Sequence, residues 1–489
     1  SVGDGATLIF SFVGYTNQEM VVGNRSVIDV GLATDVTQLS EVVVVGYGTQ
    51  EKKEITSAVA SLSTEDFNAG NVTDPGQLIA GKVAGLSIVT PGGDPNASPT
   101  IRLRGLSTFG ANSSPLVVVD GVIGASLDNI DPNDIETIDV LKDGSAAAIY
   151  GARGSSGVIL VTTKTAGKGE AATNITYNGF ITIDEVANKI DVLSADEYVA
   201  NGGTDFGNDT DWFEELTQTG VSYTSNLSIS GALGPSTSYR ASVNYRNNEG
   251  IVKGSTFERL NTRLNVQHSA VDGRLRFNIN ASVNNRDQES INLEAFRYAT
   301  IYNPTAPIFE SDVTGSTLED ESADDRATRL LNADQNFDGY FQRDLFDFFN
   351  PVALAEQQTF ENQRRNFLSS FRVEYDILDE LTVGVSYSQE RFEDQERQFW
   401  SSFDAQTGRG QQGLAQRQST NNFTEILSGT ANYTRELTEG LDASFLVGAE
   451  TQRRNNENFG VRVRQFLLDD QSFDNLGFGA IREGNQTNA

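Results

Sequence analysis

The sequence contains no cysteine and a single histidine, His268. Without thiols the chain can form neither a disulfide framework nor a thiolate metal site, and one histidine excludes zinc sites that need several imidazoles. The acidic residues are plentiful, but no spacing pairs two of them as in a glycosidase, and no nucleophile motif occurs. We therefore expect that the protein is not an enzyme.

Basic residues are also few. Lysine and arginine number 36 against 67 acidic residues, and the formal net charge is -31. A phosphate backbone would repel such a chain, which excludes nucleic acid as a partner. No apolar run approaches the ~18 residues of a membrane-spanning helix, but alternating strands can also cross a bilayer as a barrel. The chain starts at Ser1 without a leader, so we expect any signal peptide to have been removed or to lie upstream.

Three regions of different texture follow one another along the chain. Residues 1–38 contain two short alternating strands around "VGYTN", which suits the end of a small antiparallel sandwich. Residues 51–168 are rich in glycine and mix short strands with helical turns, which predicts a small α/β domain. From about residue 171 onward, long alternating strands dominate.

The alternating strands carry polar residues on one face and apolar residues on the other. In "SYRASVNYRNN", Tyr239 and Val243 stand opposite Arg240 and Asn244. The strands have about the length that crosses a bilayer, aromatic residues cluster at their ends, and tight turns alternate with long polar connections such as residues 311–342. These features favour a transmembrane β-barrel. A soluble sandwich would also alternate, so a secreted or surface β-rich adhesin is the alternative, distinguished by extraction without detergent.

Several long motifs resemble one known family. The stretches "SEVVVVGYGTQEKKEITSAVASL", "IRLRGLSTFGANSSPLVVVDGV" and "IETIDVLKDGSAAAIYGARGSSGVILVTTK" closely resemble the SusC/RagA family of TonB-dependent outer-membrane transporters. The resemblance covers roughly residues 1–310 well and the later strands only generically. It implies a mostly β protein in which an α/β plug sits inside an antiparallel barrel of about 22 strands. Residues 169–489 are too few for so many strands, so we expect this chain to be a fragment.

The resemblance also implies a division into domains. Residues 1–38 would be the C-terminal part of a carboxypeptidase-regulatory-like β-sandwich, and residues 39–50 the TonB box and linker. Residues 51–168 would be the plug, and residues 169–489 the first part of the barrel. The implied function is active import of an oligosaccharide, or less often an oligopeptide, across the outer membrane. Its implied partners are TonB with ExbB and ExbD, a SusD-like surface lipoprotein, and the surrounding membrane lipid.

The run of four valines near residue 43 is the predicted TonB-binding strand. β-Branched residues favour an extended segment that can pair with a foreign sheet edge through main-chain hydrogen bonds. The alternative is that these valines form the last strand of the N-terminal sandwich. The residues assigned to TonB binding are Glu41, Val42, Val43, Val44, Val45, Gly46, Tyr47 and Gly48.

Charged residues of the plug are predicted to contact the barrel wall. A plug must hold at rest and yield to a pull, which suits polar contacts better than a dry apolar interface. Ordinary ion pairs within the plug or on its surface are the alternative. The predicted plug-to-wall residues are Arg102, Arg104, Glu136, Lys142 and Arg153.

Substrate contacts are expected from plug apices and outer loops, where aromatic faces and polar side chains hold sugars. Each aromatic candidate has an alternative role in packing or in an interfacial girdle. The candidates are Phe109, Asn112, Ser113, Trp212 and Trp400.

The motif "DQNFDG" suggests calcium in an outer loop, although no other cofactor is expected. Asp334, Asn336 and Asp338 occupy positions 1, 3 and 5 of a calcium loop, while Leu345 stands where a glutamate is due. A solvated turn is the alternative.

Overall fold

The computed structural model describes most of the chain after residue 58 and short stretches before it. The described residues are 7–10, 18–21, 23, 30–31, 42–45, 48–51, 59–70, 72–90, 98–105, 113–142, 148–166, 173–314, 322–343, 348–438 and 441–488.

Two antiparallel strand pairs come first. Strand β1 (Thr7–Phe10) pairs with β2 (Gln18–Val21), and β3 (Val42–Val45) pairs with β4 (Gly48–Glu51). The two pairs form separate two-stranded sheets. The valine run is therefore an extended strand, as its β-branched residues predict. Among the described residues its partner is the segment that follows it, and not β1 or β2.

The next region is a small domain built around a five-stranded sheet. The described strands of the domain, five of which form the sheet, are β5 (Val59–Ser63), β6 (Leu86–Val89), β7 (Thr100–Leu103), β8 (Leu116–Val119), β9 (Val122–Ile123), β10 (Ile135–Leu141) and β11 (Val158–Thr163). The sheet order is β5-β10-β11-β8-β9, with β8 and β11 parallel, while β6 and β7 form a separate hairpin. The helical segments are Pro75–Leu78, Leu127–Asn129, Pro132–Asp134 and Ala148–Gly154.

Both faces of this sheet are buried. Ile138 and Val161 pack into a cluster on one face, while Val158 and Leu160 pack into a cluster on the other. Nearly continuous aliphatic runs such as "GVILV" produce this arrangement, because every side chain of a central strand then meets apolar neighbours. The predicted α/β character of this region is confirmed.

From residue 173 onward, the described residues include one antiparallel sheet of ten strands in chain order. They are β12 (Asn174–Asp184), β13 (Gly220–Ala232), β14 (Thr237–Glu249), β15 (Thr256–Ala270), β16 (Leu275–Ser290), β17 (Gln358–Leu378), β18 (Leu381–Trp400), β19 (Leu414–Thr438), β20 (Leu441–Phe466) and β21 (Gly479–Asn488). The small domain contacts one face of this sheet along strands from β14 to β20, so the sheet wraps around it. We call the face that contacts the small domain concave and the opposite face convex.

The two faces of the curved sheet are inverted relative to those of a soluble protein. Apolar side chains of the convex face are exposed, such as Val243 at 44% and Leu264 at 43%, while their polar neighbours Asn244 and Arg263 are buried at 1% and 5%. This is the pattern of a barrel whose outer face meets lipid. A soluble adhesin would instead pack its apolar rows against one another.

At one end of the strands, residues 233–236, 271–274 and 379–380 are short turns. At the other end, residues 250–255 form one further short connection, whereas residues 185–219, residues 401–413 and the described parts of residues 291–357 carry helices. Those helices are Ala195–Ala200, Trp212–Leu216, Glu294–Ala299, Ala323–Phe337, Pro351–Glu356 and Gly408–Gln411, and shorter turns are Glu310–Asp312, Asp469–Gln471 and Leu476–Phe478. Within the described residues, no helix has both the length and the apolar character to span a membrane.

Candidate functional site

The candidate site is the interface between the small domain and the concave face of the ten-stranded sheet. Three aspartates of the small domain face this wall from tight turns. Asp120 and Gly121 form the turn between β8 and β9 with φ of 46° and 85°, as an Asp-Gly type I′ hairpin requires. Asp131 starts the helical turn Pro132–Asp134 and accepts a hydrogen bond from the Asn133 backbone N–H at 2.9 Å.

Asp134 is almost completely enclosed, with 1% of its side chain exposed. Its carboxylate accepts hydrogen bonds from Ser242 Oγ at 2.7 Å and Asn244 Nδ2 at 2.8 Å, and it lies 3.4 Å from an Arg240 guanidinium nitrogen. Strand alternation on β14 places these three wall residues on one face. Burial and the neighbouring Asp131 charge raise the pKa of Asp134, although the hydrogen bond from Ser242 and the Arg240 charge act in the opposite direction.

The other two aspartates pair with arginines of β15. Asp131 lies 3.0 Å from Arg259, and Asp120 forms an ion pair with Arg263. Asp120 also accepts hydrogen bonds from the Thr163 backbone N–H at 3.0 Å and hydroxyl at 2.8 Å. These two hydrogen bonds come from within the small domain, so they hold the Asp120 carboxylate in place independently of Arg263. Arginine suits such buried pairs because its guanidinium is weakly hydrated and always charged.

The wall also holds the backbone just before the helix Pro75–Leu78. Arg246 donates to the Val72 carbonyl at 2.6 Å, and Arg259 donates to the Thr73 carbonyl at 3.3 Å. The wall arginines therefore bind both side chains and main chain of the small domain.

Asp74 and Asp128 of the small domain form a carboxyl pair beside the wall. Burial, followed by the hydrogen bond with Asp128, raises the pKa of Asp74 to about 8. Burial alone would also raise the pKa of Asp128, but hydrogen bonds from Asp74 and Ser98 and the nearby wall arginines lower it overall. At neutral pH the proton thus resides on Asp74, and Asp128 carries the charge. The wall arginines that act on the pair are Arg259, Arg286 and Arg364.

A weaker contact of opposite polarity lies on β20. Arg153 of the small domain is 3.1 Å from Glu450 and donates to the Gln452 side chain at 2.6 Å. The Arg153 side chain is 42% exposed, so solvent screens this pair far more than the aspartate pairs.

Apolar contact between the two parts is sparse in the described residues. Leu368 of β17 joins the first apolar cluster of the small domain, and Ile426 of β19 joins the second. Between these points a polar cavity of about 270 Å³ separates the β8–β9 turn from the wall. The interface is therefore held mainly by charge and hydrogen bonds.

Of the predicted wall contacts, Arg153 touches the wall as described above. Arg102 lies exposed on β7, and Arg104 is an exposed residue with φ of 60° just after it. Glu136 is exposed and lines the polar cavity, while Lys142 is half-buried at the end of β10.

The aspartates that pair with the wall were not predicted. The available signal was their position in "VVVDGV" and "NIDPND", where Asp-Gly and Asp-Pro turns place a carboxylate at a domain edge.

Of the predicted TonB-binding residues, Val42–Val45 lie in β3 and Gly48 begins β4, so the predicted TonB-binding strand pairs with β4 in antiparallel register. Glu41, Gly46 and Tyr47 lie outside the described residues.

The predicted substrate residues are dispersed. Phe109 and Asn112 lie outside the described residues, and Ser113 is half-buried in irregular backbone before β8. Trp212 is only 3% exposed, donates to the Asn303 carbonyl and packs edge-on against Tyr302, so it presents no face to a ligand here. Trp400 ends β18 and packs edge-on against Phe360.

The predicted calcium loop is a helix in the structure. Asp334 and Asn336 lie within Ala323–Phe337, and Asp338 ends that helix with φ of 54°. Residues two apart on a helix do not face each other, so the loop spacing does not apply. In the described part of the chain, no group of three or more His, Cys, Asp or Glu side chains could hold a metal ion. Calcium binding stays a prediction, although the residues predicted to form its loop are helical or end a helix.

Comparison with known proteins shows which family this chain resembles. The sequence model of the TonB-dependent Receptor Plug Domain matches residues 51–158. TonB-dependent receptor P26 of Formosa agariphila is 34% identical over 78% of this chain, and TonB-dependent receptor SusC of Bacteroides thetaiotaomicron is 32% identical over 77%. The chain belongs to the SusC/RagA family of TonB-dependent receptors. As a member of that family it is an outer-membrane protein, the small domain is its plug, and the curved sheet is barrel wall.

A solved structure of the RagAB peptide importer in the open-open state shares the fold of this receptor. The TM-score is 0.71 at 22% identity, covering 92% of this chain and 53% of the importer chain. The chain spans 38% and 39% of the lengths of P26 and SusC.

Proposed function

We propose that the protein takes part in TonB-dependent import of an oligosaccharide or an oligopeptide across the outer membrane. The observation that carries this proposal is a folded plug attached to a barrel wall by hydrogen bonds and ion pairs, with little apolar contact. Water entering such an interface can replace each polar contact in turn, whereas a dry apolar interface would resist separation. The attachment therefore suits a plug that holds at rest and yields to a pull.

The pull would be delivered by TonB, with ExbB and ExbD, through the segment Glu41–Gly48. Strand β3 is short and carries no side-chain requirement beyond β-propensity, so it can leave β4 and pair with an edge of TonB. Main-chain hydrogen bonds then transmit the force.

The partner that we propose at the opposite end is a SusD-like lipoprotein acting as a lid. The long connections there fold around their own apolar cluster, which includes Trp212, Tyr298 and Leu354. A connection that packs around its own core can offer a defined surface to a partner, whereas a flexible loop cannot. The peptide part of this cargo class is supported by the similarity to RagAB, which is a peptide importer.

The test uses the full-length receptor in its native host, grown on a panel of oligosaccharides and on a peptide mixture. Val43→Pro removes a main-chain donor from the strand and should abolish growth on the imported substrate while leaving cell-surface binding unchanged. Gln50→Ala, on the paired strand β4, is the control and should grow normally. Wild-type growth of Val43→Pro on every substrate would overturn the proposal.

A further inference from the structure

The long connections form a second cavity, and none of its lining residues belongs to the plug. It has a volume of about 540 Å³ and lies between the helix Ala323–Phe337, Glu310, and the side chains of Arg343 and Arg409, which come from two different connections. A volume of this order accommodates a few sugar or amino-acid units. None of the predicted substrate residues assigned above to the plug apex contributes to it.

One buried carboxylate in this cavity serves two guanidinium groups. Glu310 is 2% exposed and accepts from Arg329 at 2.6 Å and from Arg343 at 3.1 and 3.2 Å. Arg343 is 36% exposed on its other side and lies over the Phe341 ring at 4.4 Å. A single negative charge thus orients two positive ones, and Arg343 keeps an accessible edge.

A third guanidinium, that of Arg409, also lines the cavity, and within the described part of the chain it contacts an amide and an aromatic ring. Arg409 donates to the Asn336 side-chain oxygen at 3.1 Å and lies 4.5 Å from the centre of the Phe337 ring. Asp325 is the other acid in the lining, and it is engaged with the Ser322 hydroxyl at the start of the helix. Among the lining residues that the structure describes, three guanidinium groups therefore accompany two carboxylates, although the whole chain has a net charge of -31.

We propose that this cavity binds an anionic group of the imported cargo, a carboxylate or a sulfate ester, through Arg343 and Arg409. This inference rests on the proposed import function and narrows its cargo to acidic oligomers. Planar guanidinium groups bind such oxyanions through paired, charge-assisted hydrogen bonds. Both arginines are already oriented, Arg343 by Glu310 and Arg409 by Asn336 and Phe337, so little side-chain entropy is lost on binding.

A separate feature of the wall fits the same cargo. Arg240, Arg259 and Arg263 face the inside of the barrel and are neutralised at rest by aspartates of the plug. Displacing the plug would remove those aspartates and leave a row of cations along the passage. An anionic cargo would be attracted along that row, whereas a neutral one would not.

The experiment measures binding by calorimetry to the detergent-solubilised full-length receptor with its lipoprotein partner. The probes are trigalacturonate and triglutamate, with maltotriose and trialanine as neutral counterparts of equal length. At least one acidic probe should bind more tightly than its neutral counterpart and should lose affinity as salt is raised. Arg343→Gln and Arg409→Gln should each weaken that binding by roughly tenfold or more, since each removes a charge-assisted bond. Arg326→Gln, an exposed position on the same helix outside the cavity, should bind as wild type.

Equal binding of acidic and neutral probes, no binding of either acidic probe, or unchanged affinity in both cavity variants would overturn the inference. Failure of this inference can be distinguished from failure of the proposed function. If a neutral substrate is imported and Val43→Pro abolishes that import, the function stands and the anionic site falls. If acidic probes bind but Val43→Pro imports them normally, the site stands and the TonB-dependent function falls.

Discussion

Arg259 of the barrel wall and Asp131 of the plug form an ion pair of 3.0 Å with 3% and 1% of their side chains exposed. Neither group has access to bulk water in this position. Removing one partner would therefore leave the other as an uncompensated buried charge, which is far more costly than the pair itself is stabilising.

Substituting Asp131→Asn should loosen the plug. The free energy that holds the plug against the wall should fall by about 3–5 kcal/mol, because Arg259 loses its counter-charge inside the interface. Hydrogen exchange of plug amides in the full-length receptor measures this opening. Asp379→Asn is the control, because its pair with Arg274 is exposed at 86% and 49% and should contribute less than about 1 kcal/mol. Equal exchange in the two variants would contradict the assigned role of Asp131.

Attachment of the plug near Asp74 should weaken as pH rises toward 8. The pKa of Asp74 is about 8 in the folded plug against 3.8 when unfolded, so the folded state binds the extra proton between these values. The contribution of Asp74 to the free energy of unfolding is therefore fully present below about pH 4 and decreases as the pH rises to about 8. The decrease is less than about 1.4 kcal/mol per pH unit.

The Asp74→Asn variant tests the pH dependence. Asparagine can still accept the bond from the Gly76 N–H and donate to Asp128, but it cannot ionise. Hydrogen exchange of the helix Pro75–Leu78 should accelerate from pH 6 to pH 8.5 in the wild type, after correction for intrinsic rates, and should stay flat in the variant. Parallel profiles for the two proteins would show that Asp74 is not the titrating group.

Gly157 should tolerate no side chain. It has φ of +91°, and a Cβ there would meet Leu103 Cδ2 at 2.2 Å and the Leu141 carbonyl at 3.2 Å. Gly157→Ala should destabilise the plug by more than about 2 kcal/mol, from overpacking added to backbone strain. Gly124→Ala is the matched control, with φ of +82° and open space around the added Cβ, and should cost about 1 kcal/mol. Protease resistance of the plug ranks the two variants, and the reverse order would refute the packing at Gly157.

Charge on the convex face should be tolerated only near the ends of the strands. Leu264→Arg, near the middle of β15, should destabilise the folded barrel by about 2–4 kcal/mol. Leu233→Arg, in the turn after β13, should cost about 1 kcal/mol or less. Urea unfolding of the full-length receptor in lipid bilayers gives both values. Equal tolerance of the two arginines would mean that the convex face meets water.

The faces of the wall strands could be predicted from the sequence, because period-two alternation is a local property. Tyr239, Arg240, Val243 and Asn244 fall on the expected faces of β14, with Asn244 1% exposed and Val243 44% exposed. The α/β plug was equally predictable from short aliphatic runs bounded by glycine.

The plug contacts were harder to predict because they join residues far apart in the chain. Asp134 and Asn244 are separated by 110 positions, and their meeting depends on how two finished domains dock. The sequence drew attention to plug arginines, whereas the structure uses plug aspartates and wall arginines for most of the interface. Trp212 was predicted as a substrate contact with packing as the alternative, and in the structure it packs in a core that the connections build around it.

The most direct test of the lipid-facing wall is a pair of single-cysteine labels in a full-length receptor from which any cysteine outside this chain has been removed; the chain itself contains none. Leu264→Cys and Asn265→Cys are neighbours on β15 whose side chains lie on opposite faces. In the full-length receptor in lipid bilayers, a fluorophore at residue 264 should be quenched by a lipid-soluble quencher and not by a water-soluble one. The label at residue 265 should show no quenching by the lipid-soluble reagent. Quenching at residue 264 by the water-soluble reagent alone would contradict a barrel wall in contact with lipid.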